Sequence, residues 1–273
     1  MAEIRQLIMA NTAESAAVLK GRRSAFLAGG TEINRLGSSV EATRLIGIGR
    51  IDVLDGIDEY SDEESGTEYV RIGAMSTFQD IVENPLAPSY LKEACLFMGS
   101  RTKRNMATIG GNVALRRTDS YLYATLLACN AKLSLMCRDG AVIRRCAKGY
   151  LENYKEYRDM LITEILVPRD AIVANKRYSN TVQSHAVLTV SAGITGGVLR
   201  LAVAAKDTYL GMLGGIAAAF EDKTPSDDEI LKMISSDPKL DFRSDIYGSP
   251  EYKRYLLSVT IADLVRKVRG GRL

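Results

Sequence analysis

Two segments with paired glycines constrain this chain most, because they fix where the backbone turns tightly or approaches another group closely. The first is Ala28–Glu32, with the sequence Ala-Gly-Gly-Thr-Glu, and the second is Ala107–Asn112, Ala-Thr-Ile-Gly-Gly-Asn. Glycine has no Cβ, so it adopts positive φ readily and lets the backbone approach a ligand. Each pair lies beside a segment with strand character and has a threonine nearby. The sequence therefore predicts a paired-glycine turn at both places.

Turns of this kind can bind an anion. Successive backbone N–H groups form a concavity that binds anions, and the hydroxyls of Thr31 and Thr108 add donors. Two such loops could hold a diphosphate from both sides. Neither segment has the G-x-G-x-x-G pattern of dinucleotide-binding folds or the P-loop pattern. The residues alone leave two interpretations open, a pair of phosphate-binding loops and a pair of ordinary tight turns.

The composition narrows the class of protein. The 273 residues are enough for two modest domains. With 36 basic and 33 acidic residues, the net charge of +3 is too balanced to indicate nucleic-acid binding. No apolar stretch has the length of a membrane span, and the first residues lack the pattern of a secretion signal. We therefore expect a cytoplasmic protein with no nucleic-acid or membrane partner.

The candidate metal ligands are few and scattered. The cysteines lie at irregular spacing and form no C-x-x-C pair, and His185 is the single histidine. Structural zinc and iron–sulfur sites need several such ligands close together. We therefore predict no metal site and no catalytic residue on this chain, with thiols that are reduced and mostly buried.

The order of the predicted elements indicates an α+β protein with a boundary near Pro168. Helix and strand patterns alternate irregularly before this proline: Thr12 caps a first helix, residues 55–68 form a polar connection, and Ser76 caps a later helix. After it, two strand-like runs at residues 186–195 and 198–205 are joined by a Gly-Gly hairpin. The remainder, from residue 226, has helical spacing of apolar residues.

The chain resembles the FAD-binding (medium) subunits of molybdenum hydroxylases, of the xanthine dehydrogenase and carbon monoxide dehydrogenase types. In that family a loop A-G-G-T-D/N and a loop R-N-x-A-T-I-G-G-N bind FAD. They correspond here to Ala28–Glu32 and Arg104–Asn112, and the second correspondence is nearly letter for letter. Three further segments are similar to L-L-A-L-D-A, L-I-T-E-I-x-V/I-P and G-S-x-E-Y-R-R of the family, namely Leu126–Ala131, Leu161–Pro168 and Gly248–Arg254.

This resemblance implies a fold and a domain organisation. Residues 1–168 would form a two-part FAD-binding domain of the vanillyl-alcohol-oxidase/PCMH type, with subdomains at about 1–53 and 54–168. Residues 169–273 would form a small α+β domain, in which a three-stranded antiparallel sheet packs on helices.

The resemblance also implies which residues contact the cofactor. The FAD-binding residues carried over to this sequence are Phe26, Leu27, Ala28, Gly29, Gly30, Thr31, Glu32, Ile33, Gly99, Thr108, Gly110, Gly111, Asn112, Asp119 and Ile165.

The implied function is electron transfer within a larger complex. A molybdenum-cofactor subunit would oxidise a purine or a related heterocycle and reduce the [2Fe-2S] clusters of a ferredoxin-like partner. These clusters would then pass the electrons to this chain. FAD on this chain would pass them to NAD⁺ or another acceptor. The alternative is a non-catalytic assembly subunit of such a complex, in which FAD binding is weak or lost.

The sequence leaves the family pattern after the second loop. The segment Val113–Ser120 is shorter than usual and has arginines at 116 and 117 where small residues are common, so Asp119 is only the nearest match to the family's acid. Glu32 and His185 are also substitutions. Basic clusters at residues 101–104, 116–117 and 144–148 fit three interpretations: a solvated surface, compensation of the FAD diphosphate, or a docking surface.

Overall fold

The computed structural model describes residues 4–35, 38, 40–63 and 65–270. In these ranges the strands are β1 Gln6–Met9, β2 Ser24–Leu27, β3 Arg44–Gly47, β4 Ile57–Asp62, β5 Thr67–Gly73, β6 Lys132–Met136, β7 Val142–Cys146, β8 Leu161–Pro168, β9 Ile172–Tyr178, β10 Leu188–Thr195, β11 Val198–Ala205 and β12 Tyr209–Met212. The helices are α1 Ala13–Leu19, α2 Phe78–Glu83, α3 Ser89–Leu96, α4 Arg101–Arg104, α5 Ile109–Leu115, α6 Tyr123–Ala128, α7 Ala147–Glu152, α8 Tyr154–Tyr157, α9 Gly214–Asp222, α10 Asp227–Ser236 and α11 Pro250–Gly270. No helix in the described ranges is long and apolar enough to cross a membrane.

The chain folds into two compact units, each assembled from separate stretches of sequence. The first comprises the described parts of residues 1–88, 100–115 and 131–167, and the second those of residues 89–99, 116–130 and 168–273. The chain passes between the units at residue 168, where the pattern changes in the sequence, but α3 and α6 also fold with the C-terminal segment. The predicted assignment of residues 1–168 to one cofactor-binding domain stays a prediction.

A parallel three-stranded sheet in the order β1-β3-β2 positions the first glycine segment in the first unit. The last residue of β2, Leu27, lies opposite Gly47 of β3. Helix α1 packs beside this sheet. Thr12 caps the helix, as the sequence predicts, and the structure adds a reciprocal capping box with Ser15. The alanines of α1 at 13, 16 and 17 form its buried face.

A five-stranded sheet in the order β4-β5-β8-β6-β7 completes the first unit. Side chains of β3, β6 and β8 share one apolar core with α1, including Ile46, Met136 and Leu161. Strand β4 was predicted as a polar connection because its sequence, Ile-Asp-Glu-Tyr-Ser-Asp, is mostly polar. It is a strand because all six residues pair with β5 in one antiparallel register.

The second unit contains an antiparallel sheet in the order β12-β11-β10-β9. This sheet has four strands, so the three-stranded sheet implied by the resemblance is wrong. Strand β12 is only four residues long and contains Gly211, which leaves too little alternation to predict it; pairing with β11 creates it. Gly196 and Gly197 have φ of +56° and +75° and form the predicted hairpin turn. Helices α9, α10 and α11 share an apolar core with one face of the sheet.

Asn175 of β9 links the sheet of the second unit to α3 and α6. Its Oδ1 accepts hydrogen bonds from Thr125 and Ser191, both at 2.8 Å, and its Nδ2 donates to the carbonyl oxygen of Tyr90 at 3.0 Å. The side chain also contacts Glu93. The polar network is buried and each amide atom is satisfied.

Replacing Asn175 by alanine leaves these buried hydroxyls and the carbonyl without their partner. We expect the free energy of unfolding to fall by about 2 kcal/mol, measured by urea denaturation. The exposed Asn180 gives the matched control, since Asn180→Ala removes an amide outside the network. A loss below about 0.5 kcal/mol for Asn175→Ala would show that the network contributes little.

Candidate cofactor-binding site

The first glycine segment forms a tight loop directly after β2. Gly30 has φ of +69°, a conformation that disfavours residues with a Cβ. The loop then folds back through hydrogen bonds from Asn34 N–H to Gly30 O and from Arg35 N–H to Glu32 O, both 3.0 Å. The predicted turn is confirmed here.

Glu32 stabilises this loop from within. Its carboxylate accepts two hydrogen bonds from the Arg35 guanidinium, at 2.8 and 2.9 Å, and its side chain is only 10% exposed. The residue that replaces the family's Asp or Asn is therefore paired with a cation three positions later.

Gly29 is the residue at which the two glycine segments meet. A Cβ added to Gly29 would lie 1.5 Å from the carbonyl oxygen of Met106, in the longer motif Arg104–Asn112 that contains the second glycine segment. Only glycine permits this approach of one backbone to the other. The Met106 backbone is a site component that the sequence did not indicate, because a contact made by a carbonyl oxygen is independent of side-chain type.

The second glycine segment begins a helix and is not a paired-glycine turn, so that prediction is wrong. Gly110 and Gly111 lie in the first turn of α5, and the buried Thr108 Oγ1 caps it by accepting from Gly111 N–H at 3.1 Å. Glycine is needed at 110 because a Cβ there would lie 2.7 Å from Ala74 O and Cβ. Close packing, not a left-handed turn, explains this residue.

The two segments differ in what their backbone N–H groups can still bind. In the second, Ile109 and Gly110 donate to the carbonyl oxygens of Ser76 and Ala74, at 3.1 and 3.0 Å. In the first, no acceptor within the described residues binds the N–H of Gly29, Gly30 or Thr31. The first loop therefore offers adjacent donors to an anion, whereas these two donors of the second segment are already used within the protein.

Apolar residues surround the first loop. Phe26, Leu27, Ala28 and Ile33 are half-buried, and Thr31 is exposed. Ile165 lies opposite Leu133 in the five-stranded sheet and is fully buried, so its side chain is part of the core.

Arginines of the basic clusters at 101–104 and 144–148 are engaged by neighbouring side chains. Arg104 is buried and donates to Gln79 at 2.9 Å, and Arg101 forms an exposed ion pair with Glu83. Arg144 donates to the Tyr60 hydroxyl at 2.7 Å and lies over its ring. These contacts favour structural roles for these arginines.

Gly99 and Asp119 belong to the second unit. A Cβ at Gly99 would lie 2.5 Å from Val182 O. Asp119 is buried and accepts two hydrogen bonds from Arg117, both 2.7 Å, with His185 Nδ1 at 3.5 Å. Burial raises the pKa of Asp119, but the Arg117 hydrogen bonds and charge, together with His185, lower the pKa below its usual value.

His185 lies in an aromatic and charged setting that the sequence did not indicate. Its ring stacks on Tyr121 with centroids 5.8 Å apart, and the Arg177 guanidinium lies 5.7 Å from the Tyr121 centroid. In the described residues, no group of three or more His, Cys, Asp and Glu side chains is placed to hold a metal ion.

Residues 3–170 match the family model described as the FAD-binding domain in molybdopterin dehydrogenase. The chain is 27% identical over 270 residues to the uncharacterized protein YgfM of Escherichia coli K12, which covers 96% of this chain and 95% of that protein. The fold of the present chain is similar to that of a chain of carbon monoxide dehydrogenase from Hydrogenophaga pseudoflava (TM-score 0.79, 19% identity, 99% of both chains). It is also similar to a chain of quinoline 2-oxidoreductase from Pseudomonas putida 86 (TM-score 0.74, 15% identity, 98% and 97%).

The family match covers well over half of the chain and includes both glycine segments. The chain belongs to the family of FAD-binding domains in molybdopterin dehydrogenases.

Proposed function

We propose that this chain is the FAD-binding, electron-transfer subunit of a multi-subunit molybdenum hydroxylase. This chain would hold the FAD, and partner subunits would hold the molybdenum cofactor and the [2Fe-2S] clusters. The observation that carries the proposal is the family match across both glycine segments, of which the first has three consecutive N–H groups that no acceptor among the described residues binds. The Met106 contact supports it, since a Cβ at Gly29 would distort the loop.

The residues of this chain would bind and orient the cofactor. The N–H groups of Gly29, Gly30 and Thr31 and the Thr31 hydroxyl would donate to the diphosphate. The half-buried Phe26 and Ile33 would exclude water beside it. Bound FAD supplies the electron-transfer chemistry, and the protein supplies binding and electrostatics.

Finer assignments are part of the same proposal. Residues 1–168 would be the two-part FAD domain of the vanillyl-alcohol-oxidase/PCMH type, and the electron acceptor would be NAD⁺ or another carrier. The complex would act in the cytoplasm on a purine or related heterocycle, as in xanthine dehydrogenase. The remaining carried-over residues are proposed contacts too: Leu27, Ala28, Glu32, Gly99, Thr108, Gly110, Gly111, Asn112, Asp119 and Ile165.

A visible absorption spectrum of the purified chain tests the cofactor. We expect the bands of oxidised flavin, with FAD released on denaturation. Co-purification with a molybdenum subunit and a ferredoxin-like subunit tests the assembly. A colourless protein that takes up no added FAD would contradict the proposal.

A second candidate is an assembly subunit with weak or lost FAD binding. The bidentate pairing of Asp119 by Arg117 favours it, because the acid that the resemblance places near the flavin is already engaged. A colourless chain that still co-purifies with the two partners would support this alternative.

Thr31→Val separates cofactor binding from folding. The side chain is exposed, so valine should leave the free energy of unfolding unchanged while removing one donor to the diphosphate. A hydrogen bond to a charged group contributes about 1.5 kcal/mol, which predicts about tenfold weaker FAD binding by fluorescence titration. Thr102→Val, at another exposed threonine of the first unit, is the control. Equal FAD affinity in both variants would remove Thr31 from the site.

A further inference from the structure

A cavity of about 360 Å³ lies in the second unit, where β9 and β11 end and β10 begins. The first turns of α11 and the loop before that helix close its other side. All of its lining residues belong to the second unit, and none comes from the glycine segments. The side chains that define its chemistry are Lys176, Lys206, Lys253, Tyr178, Tyr247 and Tyr252.

The cavity concentrates positive charge. Several of its lining residues are cationic, and no aspartate or glutamate among the described residues lines it. Within the described residues, no carboxylate forms an ion pair with Lys176 or Lys206. Like charges that converge on a concave surface repel each other unless an anion compensates them. The arrangement therefore favours an anionic ligand.

The nearest acid, Asp245, is already committed to Lys253. Lys253 is 8% exposed, and its Nζ contacts Asp245 Oδ1 at 2.7 Å and the carbonyl oxygen of Arg243 at 2.8 Å. This pair holds the loop before α11 against the helix. Lys253 is thus neutralised. Lys206 Nζ donates to the Tyr247 hydroxyl at 3.4 Å and also acts on Asp245 through its charge, but neither Lys206 nor Lys176 forms an ion pair with a described carboxylate.

Aromatic rings stand beside both of these lysines. Lys206 Nζ lies 4.7 Å from the centroid of the Tyr247 ring, and Lys176 Nζ lies 5.9 Å from that of Tyr178. A planar ring of a ligand can stack on one of these tyrosines. A negatively charged group attached to that ligand ring would then reach the neighbouring lysine.

The segment Gly248–Arg254 places a third ring at the cavity. Ser249 Oγ accepts from Tyr252 N–H at 3.2 Å at the start of α11. Gly248 has φ of +142°, and a Cβ there would lie 2.7 Å from Cδ1 of Tyr252, so glycine lets this ring pack on the backbone. Tyr252 remains 52% exposed and available to a ligand.

We propose that this cavity binds a nucleoside monophosphate, with its phosphate at Lys206 and Lys176 and its base against the tyrosines. Two lysines that form no ion pair with a described carboxylate suit a phosphate, which carries about two negative charges, better than a singly charged carboxylate. The volume lies near the lower end of small-molecule pockets, about 300–1,000 Å³, which suits one nucleotide and not a dinucleotide. The positive end of the α11 dipole adds to the attraction.

Isothermal titration calorimetry of the full-length chain, saturated with FAD, tests the site with guanosine 5′-monophosphate. FAD contains no guanine, and saturation blocks the flavin loops. We expect one saturable site, about tenfold weaker in Lys206→Ala and in Lys176→Ala. Lys239→Ala is the matched control, since this exposed lysine of the same unit lies outside the cavity. Guanosine and inorganic phosphate should each bind at least about tenfold more weakly than the nucleotide.

Absence of saturable binding at about 1 mM nucleotide would overturn the proposal. Equal weakening by Lys206→Ala and Lys239→Ala would do the same, provided both variants keep the wild-type melting temperature. Phosphate that binds as tightly as the nucleotide would refute the role of the tyrosines. The result is independent of the flavin: a colourless chain that binds the nucleotide would contradict only the proposed electron-transfer function.

Discussion

Gly29→Ala is expected to abolish flavin retention and to destabilise the first unit. The new Cβ would lie 1.5 Å from Met106 O, far inside van der Waals contact. The backbone of residue 29 fixes the Cβ and Met106 O is itself a backbone atom, so neither can rotate away. The loop must move as a whole, which displaces the N–H groups of Gly30 and Thr31. We expect a loss of about 3 kcal/mol or more in the free energy of unfolding and no flavin absorbance after purification.

Gly21→Ala is the matched control for this variant. A Cβ at Gly21 would have no atom of the described residues within 4 Å beyond its chain neighbours, and the residue lies in the same unit, shortly before β2. Its flavin content and melting temperature should equal those of the wild type. If Gly29→Ala retained full flavin content and stability, the contact between the two glycine segments would not exist as described.

Arg117→Ala is expected to cost about 3 kcal/mol of folding free energy at neutral pH. It removes both hydrogen bonds to Asp119 and leaves a carboxylate that is 5% exposed without its main partner. Breaking a buried pair from one side costs about 3–5 kcal/mol, and the lower value applies because Arg117 itself is partly exposed.

The same variant should change how stability depends on pH. In the wild type the pKa of Asp119 is lowered, so its contribution is present above the unfolded pKa of about 3.9 and is lost as the pH falls through the folded value. Without Arg117, burial dominates and raises the pKa of Asp119 above the unfolded value. The deficit of the variant should therefore grow as the pH rises from about 4 to about 7.

Urea denaturation at both pH values measures this effect. Arg101→Ala provides the comparison, because it breaks an ion pair whose partners are 68% and 56% exposed, and such pairs contribute about 0–1 kcal/mol. An Arg117→Ala deficit that is equal at both pH values would exclude Asp119 as the group responsible. A deficit as small as that of Arg101→Ala would show that the pair is not a buried one in solution.

Local chemistry explains which elements could be predicted. The hairpin at Gly196 needs positive φ, and the start of α1 needs a capping side chain at Thr12, and both requirements are visible in a few neighbouring residues. The predicted cap of α2 at Ser76 is wrong by one residue. Ser76 is fully buried and donates to Asp55 and Gly56, so Thr77 caps the helix with Asp80. A hydroxyl next to a helix start fits either role until its tertiary partners are known.

The sequence by itself determined the family and the positions of the two glycine segments. Only the tertiary structure decided what the glycines do. Gly29 makes room for Met106 O and Gly110 for Ala74, and the N–H groups of the second segment are used by carbonyl oxygens of distant residues. The physical reason is that backbone carbonyls, which every residue carries, fill these contacts. Side-chain patterns therefore mark where the backbone must come close, and the fold alone specifies what it approaches.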